Sequence, residues 1–136
     1  MTKTLISIEI AKEYISQLDL SYIINAMCSS EYPLPKWTTS DAAHCAMLYK
    51  NFLWLHKKHP SIFFVPTKEI DEFWHNHILY TKNYHQDCLQ IFGHYLHHEP
   101  ANPNENPGPL IDAYLQTKQL YLEEFGHPID QSMKRP

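Results

Sequence analysis

Apolar residues recur every three or four positions through most of the chain, and the pattern is interrupted at a few points rich in Pro, Gly, Ser and Asn. That periodicity predicts an all-α domain, a compact bundle of five or six helices. Residues 7–18 give the first helix, with Ser7 as N-cap and Ile8, Ala11, Ile15 and Leu18 as its stripe. Asp19 can cap a second, turning Tyr22, Ile23, Ala26 and Met27 inward. Ser29 to Pro35 breaks it, because Pro33 and Pro35 each push the preceding residue out of the helical region. Thr39 or Ser40 caps a longer helix that runs to about Lys58 and stops at His59-Pro60. Ala43, Met47 and Trp54 lie on one side of it and Leu48, Phe52 and Leu55 on the other, so it is expected at the centre of the core. The short apolar run within Ser61 to Val65 has no second strand to pair with and reads as a buried extended connector.

Thr67 caps the next helix, with Glu69 and Asp71 in its first turn. The pattern could continue to Phe92 and end at Gly93. Leu79 and Tyr80 fit neither face well, however, and Thr81 is a good cap for a separate helix from Lys82 to Phe92. A break near Tyr80 is therefore expected. Pro100 to Pro109 reads as an extended surface loop. Pro109 can open a last helix, in which Leu110, Tyr114, Leu115, Thr117, Tyr121 and Phe125 keep helical spacing up to Gly126. Residues 127–136 form a tail, with Gln131 to Pro136 frayed. The whole of residues 1–136 is expected to form a single domain.

Composition changes this picture mainly by exclusion. The net charge is −4 and no Lys/Arg stripe stands out, which argues against nucleic acid. No apolar run approaches the roughly 20 residues of a membrane span, and Glu9, Lys12 and Glu13 interrupt any signal-like start. A cytoplasmic setting is expected, with export that needs no cleaved signal left open. Cys28, Cys45 and Cys88 lack a CxxC pairing and fit reduced thiols. Three glycines in the whole chain leave no material for a phosphate-cradling loop, so no nucleotide cofactor is expected, and GxSxG and HExxH are missing.

The candidate chemistry lies between Pro66 and Pro100, which holds six of the ten histidines and one of the three cysteines. Neutral imidazole and thiolate are the usual ligands of a borderline ion, zinc by default. The leading reading is a metal site of His75, His77 and Cys88, closed by His97 or His98. Trp74, Tyr84 and Asp87 lie around it. Asp71, four residues before His75, could hold that ring's tautomer. Geometry limits the idea. On a regular helix His75 and His77 are rotated by about 200°, and His77 and Cys88 lie about 16 Å apart. One shared ion therefore requires the break near Tyr80. The competing reading makes His77 a core histidine, His75 a surface partner of Asp71, and Cys88 a small core residue. The protein would then be a metal-free interaction module, with the loop 100–109 or an aromatic groove as its contact surface. A Cys88–histidine nucleophile pair is a third option that no spacing singles out. Whether the chain is an enzyme, and what its partner is, do not follow from these residues.

Asp71, Trp74-His75-Asn76-His77, Tyr84, Asp87-Cys88 and Gly93, followed by His97, His98 and Pro100, form a pattern that resembles the glycine-rich domain-containing protein-like family, a domain of unknown function. Tyr49, Phe52, Leu53 and Pro60 resemble its preceding helix, and Thr117, Tyr121, Phe125 and Gly126 its closing one, so the resemblance covers about residues 18–126. The resemblance implies that His75, His77 and Cys88 matter to the domain, without implying an activity. Plant members often carry proline at the position of Thr81, which agrees with a break there. The glycine-rich tail of the large members has no counterpart in this chain, so no role of that tail is expected to transfer.

Overall fold

The structure, a computed structural model, describes residues 5–100, 102 and 104–130. The expected frayed end, Gln131 to Pro136, lies outside the described residues, as do positions 101 and 103 of the Pro/Asn loop. Six helices follow one another: α1 (Ile8–Gln17), α2 (Ser21–Met27), α3 (Thr39–Lys58), α4 (Lys68–Leu79), α5 (Thr81–Phe92) and α6 (Gly108–Phe125). No strand occurs among the described residues.

Local chemistry sets most of the boundaries. Ser7, Thr38 and Thr67 each accept a hydrogen bond from the backbone N–H three residues on, which satisfies a donor that the first helical turn leaves free. The α3 cap is thus Thr38, rather than the expected Thr39 or Ser40. Asp19 does not sit at the cap position of α2, which Leu20 occupies, but its Oδ1 still accepts from Ser21 N at 2.9 Å. Gly93 and Gly126 end α5 and α6 with φ of 78° and 77°, a left-handed conformation that costs glycine little.

The long helix α3 is the hub, packing against α1, α2, α4 and α6. Its buried residues include Ala42, Cys45, Leu48, Tyr49, Phe52, Leu53 and Leu55. The second apolar side expected of it is only partly covered. Met47 stays 37% exposed and Ala43 is exposed, because α1 and α6 flank that side and leave a groove between them. The last helix also differs from its reading. Thr117 and Tyr121 are buried, but Leu110 and Leu115 face out, since α6 leans on the bundle through α3. Thr117 ties α6 to the connector before α4 by accepting from Val65 N at 2.9 Å, and donates to Ala113 O within α6 at 2.8 Å. The run before Val65 is no strand, as expected, but the burial expected of it holds only in part: Phe64 is buried whereas Phe63 is exposed.

The feature that places the functional residues is the break between α4 and α5. Tyr80 leaves the helical region with ψ of 73°, while its N–H still bonds His77 O at 3.1 Å and its own carbonyl starts α5 by accepting from Tyr84 N at 2.9 Å. Thr81 is the first residue of α5 rather than its cap. Tyr80 packs edge-on against Tyr22 at 4.9 Å, and Leu79 beside it is 76% exposed. The chain turns here, α5 packs against α4, and residues 74–77 face residues 84–88.

Candidate functional site

Two separate groups of polar side chains grow from that turn. The first is internal. His77 is buried on α4, and its Nε2 lies 2.8 Å from Asp87 Oδ2 on α5. Its Nδ1 lies 2.6 Å from Tyr49 Oη on α3. The other carboxylate oxygen of Asp87 accepts from Tyr14 Oη on α1 at 2.7 Å. A carboxylate only accepts, so the Nε2 of His77 donates to it, and in the neutral ring Nδ1 accepts from the Tyr49 phenol. Burial pushes the Tyr49 phenol well above its ordinary range and does the same to Tyr14, aided by the Asp87 carboxylate, so both phenols stay protonated donors. One side chain from each of four helices meets in this chain of bonds. The order Asp–His–hydroxyl is that of a hydrolytic triad, but Tyr49 is fully buried and has no access to a substrate. The arrangement clamps the bundle.

The second group lies at the surface, where the segment after Gly93 returns along α4. Two bonds hold that segment: Tyr84 Oη donates to Leu96 O, and Leu96 N donates to Cys88 Sγ at 3.5 Å. Trp74 Nε1 donates to the same Tyr84 oxygen at 2.9 Å. The return carries His98 onto the flat face of Trp74, with ring centres 4.1 Å apart and planes 20° apart. His75 stacks on the far side of His98 at 4.6 Å, so His98 is sandwiched between two rings. Asp71, on the first turn of α4, closes the group: its Oδ1 is 2.6 Å from His98 Nε2 and 3.7 Å from His75 Nε2.

The structure therefore divides the residues expected to share an ion. His75 and His98 come together, with Asp71, one turn before His75, supplying a carboxylate oxygen directly. His77 is not with them: the two-residue offset from His75 turns it into the core, where Tyr49 and Asp87 take both ring nitrogens. Cys88 is buried under the return segment, and burial raises its thiol, which disfavours the thiolate a metal would need. Trp74 and Tyr84 support the surface group, while Asp87 serves the internal one. His97 is exposed, lies against the Tyr95 ring at 4.9 Å, and is not part of the converging group.

Among the described residues, Asp71, His75 and His98 are the group whose ligand atoms converge, all within 4.8 Å of one another. Ligand atoms around a tetrahedral zinc sit about 3.3 Å apart, given bonds of about 2.0–2.2 Å. The two distances from Asp71 Oδ1 bracket that value. At 2.6 Å the Nε2 of His98 donates to the Asp71 carboxylate, so an ion there must displace that proton, and binding also requires the His75 ring to swing. Its side chain is 56% exposed and free to do so.

Tyr14 and Tyr49 were not flagged as site residues by sequence reasoning. Tyr14 lies 73 residues from Asp87 and gives no local signal. Glu72 was missed as well. It accepts from Tyr32 Oη and Trp37 Nε1, both at 2.6 Å, and so ties the 29–37 loop to α4 beside the cluster.

These features define a small all-α domain with a surface His/Asp group formed by α4 and the segment that follows α5. Residues 11–108 match the model of the UCP032817-like family, and the chain belongs to that family. The resemblance carried by the WHxH and DC residues is borne out. Over 83 residues, 57% of this chain, it is 32% identical to Glycine-rich domain-containing protein 1 and, over the same length, to Glycine-rich domain-containing protein 2, both of Arabidopsis thaliana. The match spans about 10% of the length of each of those relatives. No solved structure matches the chain.

Proposed function

We propose that this domain binds a divalent transition metal, zinc by default, through Asp71, His75 and His98. The observation that carries the reading is the convergence of these three side chains on one spot, with His98 brought there from outside the helix that bears the other two. Two imidazoles and one carboxylate leave coordination positions for water or substrate, as in catalytic rather than structural zinc sites. The same donor set also suits ferrous iron. Three supports orient it: the Trp74 stack, the Trp74–Tyr84 bond, and the Tyr84 and Cys88 bonds to Leu96. Elemental analysis of the purified full chain tests the proposal, with His98→Ala as the variant that must lose the ion. A folded, metal-free wild-type protein that takes up no added zinc would count against it.

One observation favours the alternative, a metal-free interaction module. Ile111, Leu115 and Leu122 of α6 lie on the surface, each more than half or close to half exposed. Under that reading a chelator leaves folding and partner binding unchanged.

A further inference from the structure

The groove that α1 and α6 leave on α3 has a volume of about 600 Å³ and is open to solvent. Its floor is the face of α3 that bears Ala43, Ala46, Met47, Lys50 and Trp54. The stretch from Ala43 to Trp54 is about 16 Å long at roughly 1.5 Å per residue, or about three helical turns. Ala43 and Met47 are exposed there, and the two alanines let another backbone come close. The floor lies inside α3, so its backbone N–H and C=O groups already bond along that helix. An extended peptide in the groove would leave its own backbone groups unpaired, whereas a helix satisfies them internally. The groove is also cationic, in a chain whose net charge is −4. Lys12 and Lys50 line it, and neither has a carboxylate within ion-pair distance among the described residues. Lys12 lies over the Trp54 ring at 5.8 Å. Partial burial pushes the Lys50 ammonium below its ordinary value, against the weaker pull of Asp19. Glu124, the acidic residue in the lining, is held by Lys58 and the Trp54 N–H, and Glu9 and Glu13 of α1 lie outside the groove.

We propose that this groove docks an acidic amphipathic helix of a partner protein, laid along α3 between α1 and α6, with its apolar stripe on Ala43, Met47 and Trp54 and its carboxylates on Lys12 and Lys50. The floor residues repeat at helical spacing, so they meet apolar side chains spaced three or four apart on the incoming helix. Each carboxylate meets an ammonium that the fold leaves without an acidic partner, so sign as well as shape selects the occupant. Residues 131–136 carry Lys134 and Arg135 and no acidic side chain, which is the wrong sign for this groove. The groove is built by α1, α3 and α6, none of which supplies Asp71, His75 or His98, and the proposal does not rest on the metal reading.

The probes are capped peptides of about 15 residues, a length at which an isolated helix becomes marginally stable. One is built of Leu, Ala and Glu with Leu at helical spacing; a second has every Glu replaced by Lys; a third keeps the acidic composition with the Leu spacing scrambled. NMR titration of the full chain follows the Trp54 indole and the Met47 methyl. The acidic helix should bind saturably, shift both signals, and bind about tenfold more tightly than the basic one, the size of two exposed ion pairs gained against two repulsions. Lys12→Glu combined with Lys50→Glu should reverse that order. If the double variant fails to fold, Met47→Glu provides the second arm: at an exposed position it sets a carboxylate three residues before Lys50 and should abolish binding of the acidic helix. Equal affinity for the acidic and basic peptides, equal affinity for the scrambled one, or no saturable binding overturns the proposal. So does an unchanged order in the folded double variant, or undiminished binding in Met47→Glu. A concentration-dependent rise in the mass of the free chain that Met47→Glu removes would fill the groove with a second copy and overturn it as well. Binding should persist in EDTA and in His98→Ala; loss in either would place the peptide at the His/Asp group instead.

Discussion

His77 Nε2 lies 2.8 Å from Asp87 Oδ2 across the turn between α4 and α5, and this pair fixes what the two helices can do. It commits His77 to the core and leaves His75, two residues earlier, on the outside. Asp87→Ala would strand the His77 and Tyr14 donors in an apolar interior. The expected loss is roughly 3 kcal/mol, the sum of two unsatisfied buried groups. Asp87→Asn keeps an oxygen for one of the two and should cost less. Urea unfolding of the three proteins checks the order; equal stability of Asp87→Ala and wild type would remove the clamp from the account.

His56 gives the pH dependence a definite sign. Burial, and secondarily His98, depresses its folded pKa to about 4, below the unfolded value of about 6.5. Between those values the unfolded chain holds more protons than the native state. Stability therefore rises with pH through this window, is fully present above about 6.5, and is lost as pH falls toward 4. The loss from this group is on the order of 3 kcal/mol. Thermal melts from pH 4 to 7 should show the slope, and His56→Phe should flatten part of it. An unchanged slope in that variant would assign the effect to other groups.

Trp74 holds His98 by stacking and Tyr84 by its N–H. Trp74→Phe keeps a ring but loses the bond to Tyr84 and reduces the stacked area. Zinc affinity should fall by roughly tenfold, as for other groups that orient a ligand without touching the ion. Competition with a chromophoric chelator measures this, and an unchanged affinity would mean that His98 needs no support.

Cobalt substitution separates the donor set proposed from geometry from the one expected from spacing. With Asp71, His75 and His98 as ligands, the cobalt protein should lack thiolate-to-metal charge-transfer absorption, and Cys88→Ala should leave its spectrum unchanged. A strong charge-transfer band that disappears in Cys88→Ala would restore Cys88 to the site.

How much of this was legible in the chain depended on distance along it. The break after Leu79 could be read because Leu79 and Tyr80 fit neither helical face, and the caps Ser7 and Thr67 because their bonds span three residues. Asp71 beside His75 followed from the four-residue spacing of a helix. The position of His98 could not be read. It depends on an irregular segment whose course is set by bonds from Tyr84 and Cys88 to Leu96, and no periodicity encodes those. Tyr14 was out of reach for the same reason, since only the packing of α1 on α5 brings it to Asp87. His77 and Cys88 are both buried, as a shared apolar face implied, but they lie on separate helices with separate partners, Tyr49 and Asp87 for His77 and Leu96 N for Cys88.

Metal content of the purified chain, with and without the three side chains, tests the central claim most directly. Wild type and His77→Gln should each carry about one divalent ion after zinc loading and desalting, whereas Asp71→Ala, His75→Ala and His98→Ala should carry little. If His77→Gln loses the ion while His98→Ala keeps it, or if the folded wild type holds none, Asp71, His75 and His98 are not a metal site.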